Sequence, residues 1–539
     1  VSGLVRRFRR PVALVSAGFV LAAAAMAGPG ATAAFADVTI QASGSTWSAN
    51  AMDQWTAEMA NRGVQIQFSA NSSGQGRNDF ALNQNDFANS DIPFQGQDKL
   101  TGQPDNNGGR LFAYMPIVAG GTALMYQLHQ GTNQITNVRL SGQTIVKIFT
   151  GQITNWSDPA ITADMNGHAL PAKKIQVVVE SNGSGTTAQF TDWMARQYPA
   201  LWGAYEGVHP AVATSYYPVN ASNITAQNGD AQVAQTITST GYEGAIGYVQ
   251  YSYAQAALYP SVKVENAAHY FTAPNPYNVA VALTKAQINT SNPNDPTTYL
   301  TQDLSQVYTQ TDPRSYPLSS YSYSIIPISP TDVRTDVNKA QTFLDFARYF
   351  MCQGQDNMPT LGYSPLTINL VAEGFAQVKR YSHIDQSKIG TLDPTQCNNP
   401  TYYPQDPSKN RLAQIDPAPP ACDQAGQGPC GADNSGNPAG GGSGGPGGHG
   451  AGGAAGSGGA AAGATTAVPG GIDPNTGLPN GAAGAGGAQA SASELAAFRN
   501  QGMNKALGVL AGIEVVLVLL VPALVARAIS RRRARRDTE

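Results

Sequence analysis

The chain is poor in charge. Lys, Arg, Asp and Glu make up only 12% of its 539 residues, about half the usual share, and the formal net charge is −3. That balance leaves no basic footprint, so nucleic acid is not expected as a partner. Cysteine is scarce as well. Cys352, Cys397, Cys422 and Cys430 follow neither zinc-ribbon nor CxxC spacing and have no His partners nearby, which excludes the usual zinc and redox motifs. Catalytic signatures are missing: there is no Walker loop and no metal-ligand cluster, and Gly183-Ser184-Gly185 lacks the spacing of a nucleophile elbow. His129, His168, His209, His269 and His383 stand without motif context. The expectation is a protein that is not an enzyme and carries no cofactor.

Long apolar runs are few, and two of them sit near the ends. Arg6, Arg7, Arg9 and Arg10 precede an apolar run from Pro11 to about Met26, and Ala34-Phe35-Ala36 offers small residues for cleavage. Residues 1–36 therefore read as a secretory signal peptide, with a retained anchor as the alternative that the cleavage pattern disfavours. No Cys in that segment could carry a lipid. The second run, Ala506 to Ala526, is about long enough to span a bilayer and is followed by Arg531, Arg532, Arg533, Arg535 and Arg536. It predicts one transmembrane helix at 506–526 and a basic cytoplasmic tail at 527–539, although Glu514 and Pro522 are unusual within a span. The expected localisation is the cell membrane, single-pass, with everything between signal and span extracellular. Residues 434–495 are rich in Gly and Ala and read as a disordered linker, after a Pro/Cys-rich extension at 401–433. An outside location permits disulfides. Four cysteines allow three pairings; Cys422 with Cys430 would close a small Pro/Gly loop and leave Cys352 with Cys397.

What the middle of the chain has is a repeated local grammar. A strand at Val38 to Gln41 leads into Ala42-Ser43-Gly44-Ser45-Thr46-Trp47-Ser48 and a helix with Met52, Trp55 and Met59. A strand at Val64 to Phe68 leads into Asn71-Ser72-Ser73-Gly74-Gln75-Gly76 and a helix with Phe80 and Leu82. A strand at Ile175 to Val179 leads into Glu180-Ser181-Asn182-Gly183-Ser184-Gly185-Thr186-Thr187 and a helix with Phe190, Trp193 and Met194. Strand, Gly/Ser/Thr turn, helix is the pattern of an α/β protein with ligand loops at the carboxyl ends of its strands. Each helix start offers backbone N–H groups without internal partners and the positive end of a dipole, a cradle for anions. Asp91, in Asn89-Ser90-Asp91-Ile92-Pro93, is either a turn aspartate or an acceptor facing the same site. Regular structure is expected to fade after about Arg380.

With these turns placed, the chain resembles the phosphate-binding protein of the phosphate ABC importer over roughly residues 38 to 380. The likeness lies in Gly44-Ser45-Thr46-Trp47, Asn71-Ser72-Ser73-Gly74, Asn89-Ser90-Asp91 and Gly183-Ser184-Gly185-Thr186-Thr187. It extends to Leu140-Ser141-Gly142-Gln143-Thr144 and Ile153-Thr154-Asn155-Trp156-Ser157-Asp158. The resemblance implies a two-lobe type II periplasmic-binding-protein fold with a cleft between lobes, over 37–400. Lobe 1 would comprise 37–126 and 319–400, and lobe 2 would comprise 127–318. It implies a ligand set of Ser45, Thr46, Trp47, Ser72, Ser73, Asp91, Ser184, Gly185 and Thr186, with phosphate or a similar small oxyanion as ligand and an ABC permease as partner. Asp91 would accept the proton of hydrogen phosphate and repel sulfate, which has none to give.

The chain departs from that pattern at one place. The resemblance implies an arginine directly before Ser181 and an aspartate at position 182, but Glu180 and Asn182 stand there. Three outcomes are open. Arg77 could supply the cation and pair with Glu180; Glu180 could point away while neutral donors hold the anion; or the ligand is no longer phosphate. The expected function is an extracellular, membrane-tethered oxyanion-binding protein. A surface sensor or scaffold that kept the fold and lost the ligand is the alternative.

Overall fold

The computed structural model describes residues 38–390, 393–406 and 409–431. The elements that build the site are, in chain order, strand β1 (Ile40–Gly44), helix α1 (Ala49–Ala60), β2 (Ile66–Ala70), α2 (Ser73–Ala81), β3 (Phe87–Ser90) and β4 (Phe112–Tyr126). They continue with β5 (Gln176–Glu180), α3 (Gly185–Gln197), β6 (Ile224–Gln227), α4 (Gly229–Thr238) and β7 (Ala245–Gln250). The last are β8 (Ser319–Pro327), α5 (Val337–Met351), β9 (Tyr363–Ser364) and α6 (Ile368–Val378). The first two strands start two residues later than the sequence pattern placed them, and the first runs on into its Gly/Ser turn as far as Gly44.

One mixed sheet of nine strands holds all of these strands. Its order is β6-β5-β7-β4-β8-β3-β1-β2, with β9 paired to β4. Parallel pairs form the two ends: β5 beside β6 and β7, and β1 beside β2 and β3. The middle is antiparallel. All fifteen residues of β4 and all nine of β8 are buried, so both read as continuous runs rather than alternating ones. At about 3.3 Å per residue, β4 stretches over roughly 50 Å. It pairs with β8 over Phe112–Gly121 and with β7 over Thr122–Tyr126.

Helices flank the sheet in an α/β arrangement, and one long buried strand, β4, changes partner along its length and so carries both halves of a single mixed sheet. The membrane-anchored part of the expected architecture is corrected. Among the described residues no helix is long and apolar enough to cross a membrane, so none of them supplies the single-pass cell-membrane anchor, as localisation or as partner contact. The signal at 1–36, the linker at 434–495, the span at 506–526 and the tail at 527–539 lie outside the described residues.

The core follows from the apolar spacing of the helices. On α5, Phe343, Leu344, Ala347 and Phe350 are buried, and Phe350 stacks on Trp55 of α1 with ring centroids 5.3 Å apart. Two disulfides, Cys352–Cys397 and Cys422–Cys430, staple the later part of the chain. The stretch after Arg380 has little regular structure but is docked. Arg139 donates to the Cys422 carbonyl at 2.8 Å, Lys263 pairs with Asp423 at 2.8 Å, and Arg314 donates to the Asp416 carbonyl at 2.8 Å.

Candidate functional site

The loops at the carboxyl ends of β1, β2, β3 and β5 meet at Asp91. The side chain is 2% exposed, and three hydroxyls donate to it. Ser45 lies 2.7 and 2.9 Å from its two oxygens, Ser73 lies 2.9 Å from Oδ2, and Ser322 lies 2.7 Å from Oδ1. Ser322 comes from β8, beside an irregularity in the β4–β8 register between Ser322 and Tyr323; such bulges re-aim side chains next to functional sites. Burial pushes the Asp91 carboxyl above its usual range, while the hydrogen bonds from Ser45, Ser322 and Ser73 and the charge of Arg77 act the other way.

The loops before α2 and α3 face each other across this carboxylate. The Gly74 amide donates to the Gly183 carbonyl at 2.7 Å. A Cβ on Gly185 would stand 2.6 Å from both Asp91 Oδ2 and Ser73 Oγ, so only glycine permits the first turn of α3 to close on Asp91. Ser184 caps α3 by accepting from the Thr187 amide at 3.1 Å. Ser72 caps α2 from a backbone with φ of +100°. For a serine this is a strained conformation, costing on the order of 1–3 kcal/mol, of the kind that clusters at ligand sites.

Two more acids stand within the same group of loops. Glu180 is fully buried; its Oε1 accepts from Ser184 Oγ at 2.8 Å, and its Oε2 has no well-formed hydrogen bond. Asp230, at the start of α4, is also fully buried. It accepts from Thr46 Oγ1 at 2.6 Å and from the Gln250 amide at 2.7 Å. Burial pushes Asp230 up to about 6, with Asp91 adding to the rise. Burial, then the charge of Asp230 and more weakly that of Asp91, raises Glu180 well above the ordinary carboxyl range. Thr186 Oγ1 and both polar atoms of the Asn182 side chain are buried without a well-formed hydrogen bond.

The residues singled out from the sequence divide accordingly. Ser45, Ser73, Asp91, Ser184, Gly185, Thr186 and Glu180 are brought together. Thr46 joins them through Asp230. Trp47 is packed in the core, edge-on to Tyr363 at 5.7 Å, with its indole N–H 3.3 Å from Thr122 Oγ1. Ser72 spends its hydroxyl oxygen on the Gln75 amide. Arg77 does not pair with Glu180. Its Nε holds Asp105 at 2.7 Å and its Nη1 donates to Ser90 Oγ at 2.7 Å, because α2 points that side chain away from the β5 loop. Sequence reasoning missed Asp230 and Ser322. Asp230 had a signal, since Ile224–Gln227 followed by Asn228-Gly229-Asp230 and a helix is a fourth copy of the strand, turn, helix grammar. Ser322 had none, because its role depends on the β8 register.

A family model described as a PBP superfamily domain matches residues 29–353, more than half of the chain. The chain belongs to the PBP superfamily, in its PstS-type branch. Phosphate-binding protein PstS 2 of Mycobacterium tuberculosis is 30% identical over 357 residues, covering 64% of this chain and 87% of that protein. Phosphate-binding protein PstS of Xylella fastidiosa is 26% identical over 338 residues, covering 62% and 84%. Among solved structures, a periplasmic phosphate-binding protein (PfluDING) bound with phosphate aligns with a TM-score of 0.49 at 16% identity, covering 63% of this chain and 93% of that one. PstS-type proteins bind solutes without transforming them, and this PBP chain is a binding protein and not an enzyme.

Proposed function

We propose that this PBP chain captures a small oxyanion, inorganic phosphate, and delivers it to an ABC importer. The observation that carries the reading is the meeting of two helix N-termini and a ring of serine hydroxyls around one buried carboxylate. Helix N-termini supply donors and partial positive charge for an anion. A buried Asp91 accepts a proton from hydrogen phosphate and rejects sulfate, which would leave two negative groups facing each other unpaired. The names of the PstS relatives support the same ligand. In this reading residues 37–400 form the binding unit. Ser45, Ser73, Asp91, Ser184, Gly185 and Thr186 line the site, while Thr46, Trp47 and Ser72 hold its loops in shape.

Calorimetry on the full chain tests it, with phosphate and then sulfate near neutral pH. Micromolar or tighter phosphate binding with sulfate ignored supports the reading. No heat from either anion removes it and favours a second reading, a module that keeps the fold without the ligand. Glu180 is the observation behind that second reading, because a charged carboxylate there would oppose an anion.

A further inference from the structure

The ligand loops hold three buried carboxyl groups, and the arginine that acts on one of them, Arg77, is already tied to Asp105. Glu180 feels the charge of both other acids. The titratable groups that face it are Asp230 from α4, Asp91 from the loop after β3, and Tyr248 from β7. Tyr253, on the helix Tyr251–Ala256, also feels its charge. None of these brings a positive charge. Tyr248 Oη accepts from the Glu180 amide at 3.1 Å and shares a 2.6 Å hydrogen bond with Thr187 Oγ1. Ser184 Oγ already donates to Glu180 Oε1, which leaves Oε2 buried without a well-formed hydrogen bond. An ionised carboxylate in that setting is costly, and a group so placed takes up a proton instead. A proton on Oε2 turns that acceptor into a donor, beside the buried Thr186 hydroxyl, which acts on Glu180 without a well-formed hydrogen bond.

We propose that Glu180 serves the ligand site as a neutral acid whose Oε2–H, together with Thr186 Oγ1–H, donates to an oxygen of the bound oxyanion, so that binding requires Glu180 to hold its proton. The inference rests on the oxyanion reading of the site. It narrows the ligand class to oxyanions of low charge that carry a proton of their own for Asp91, such as hydrogen phosphate. Affinity then has a definite pH sign. It is insensitive to Glu180 below that group's folded pKa, and falls up to tenfold per pH unit above it as the proton is lost.

The test is phosphate affinity of the full chain and of Glu180→Gln from pH 5.5 to 9.5. Glutamine donates through its amide at every pH, and phosphate's own titration is common to both proteins and cancels in the ratio of their dissociation constants. The expected result is a ratio of wild type to variant that is flat at low pH and climbs at least tenfold toward high pH. Infrared difference spectra at pH 6 supply a second readout. They should show a protonated-carboxyl carbonyl band in the wild type that is lost in Glu180→Gln and shifts when phosphate is added. A missing band, or a band that saturating phosphate leaves unmoved, overturns the inference. So does a ratio that falls as the pH rises. Failure of both proteins to bind phosphate at every pH removes the phosphate reading itself, a result distinct from either.

Discussion

Gly74→Ala tests whether contact between the α2 and α3 loops is the feature that organises the site. A Cβ at this position would stand 2.6 Å from the Gly183 carbonyl oxygen and 3.2 Å from the Gly183 Cα. Both are backbone atoms, so no side-chain rotation relieves the contact. Restoring an ordinary 3.4 Å approach moves the loops apart by about 0.8 Å and breaks the 2.7 Å hydrogen bond from the Gly74 amide. Alanine in a helix gains up to about 1 kcal/mol over glycine. Against that stand about 0.5–1.5 kcal/mol for the hydrogen bond and about 1–3 kcal/mol for overpacking. The clash therefore wins, and Gly74→Ala should lose about 1–3 kcal/mol in guanidinium unfolding followed by tryptophan fluorescence. Gly241→Ala is the matched control, since a Cβ there meets nothing within 4 Å. Its expected change is within about 0.5 kcal/mol. A Gly74→Ala protein as stable as the wild type, with phosphate binding intact, would refute the view that these loops are held in direct backbone contact.

Other perturbations separate the remaining features of the site and the fold. Asp91→Asn removes the acceptor charge while keeping the side chain's shape; sulfate should then compete with phosphate at least tenfold better than in the wild type, read by displacement calorimetry. Asp230 has a folded pKa raised from 3.8 to about 6. Its folded state therefore holds the proton longer than its unfolded state, so its stabilising contribution is complete below pH 3.8 and is lost as the pH rises to about 6. The expected loss across that window is on the order of 2–3 kcal/mol, and Asp230→Asn should flatten it in unfolding curves taken at pH 4 and pH 6.5. The Cys352–Cys397 bridge spans 45 residues and the Cys422–Cys430 bridge spans 8. Loop-closure entropy predicts that replacing the first pair with serine costs about 4 kcal/mol and the second about 2.5 kcal/mol. An inverted order in paired denaturation curves would show that chain entropy does not govern these bridges.

Local chemistry was enough to place the strand, turn, helix units that carry Ser45, Ser73 and Ser184. Hydrophobic periodicity and glycine-rich turns are properties of neighbouring residues, and they survive in any tertiary setting. The same reasoning failed for Arg77. A side chain's partner depends on the direction in which its helix docks, and α2 turns this arginine to Asp105 instead of Glu180. It was silent on how the two halves of the sheet are joined. A fifteen-residue buried strand looks the same in sequence whether it ends in one sheet or runs on with a second set of partners.

From its sequence alone the chain determined its α/β grammar, its anion-suited helix starts, the candidacy of Asp91 and the break in pattern at Glu180. The first three follow from residue type and spacing within a few positions; the break at Glu180 shows only against the family pattern that the chain resembles. Tertiary structure decided the rest. It brought Ser322 of β8 onto Asp91 through a register irregularity, and it set Asp230 opposite Thr46 across 184 residues of chain. It also buried Glu180 among acids with one oxygen lacking a well-formed hydrogen bond. The charge state of a carboxyl group is set by what surrounds it in space, and that is fixed only when distant segments close around it.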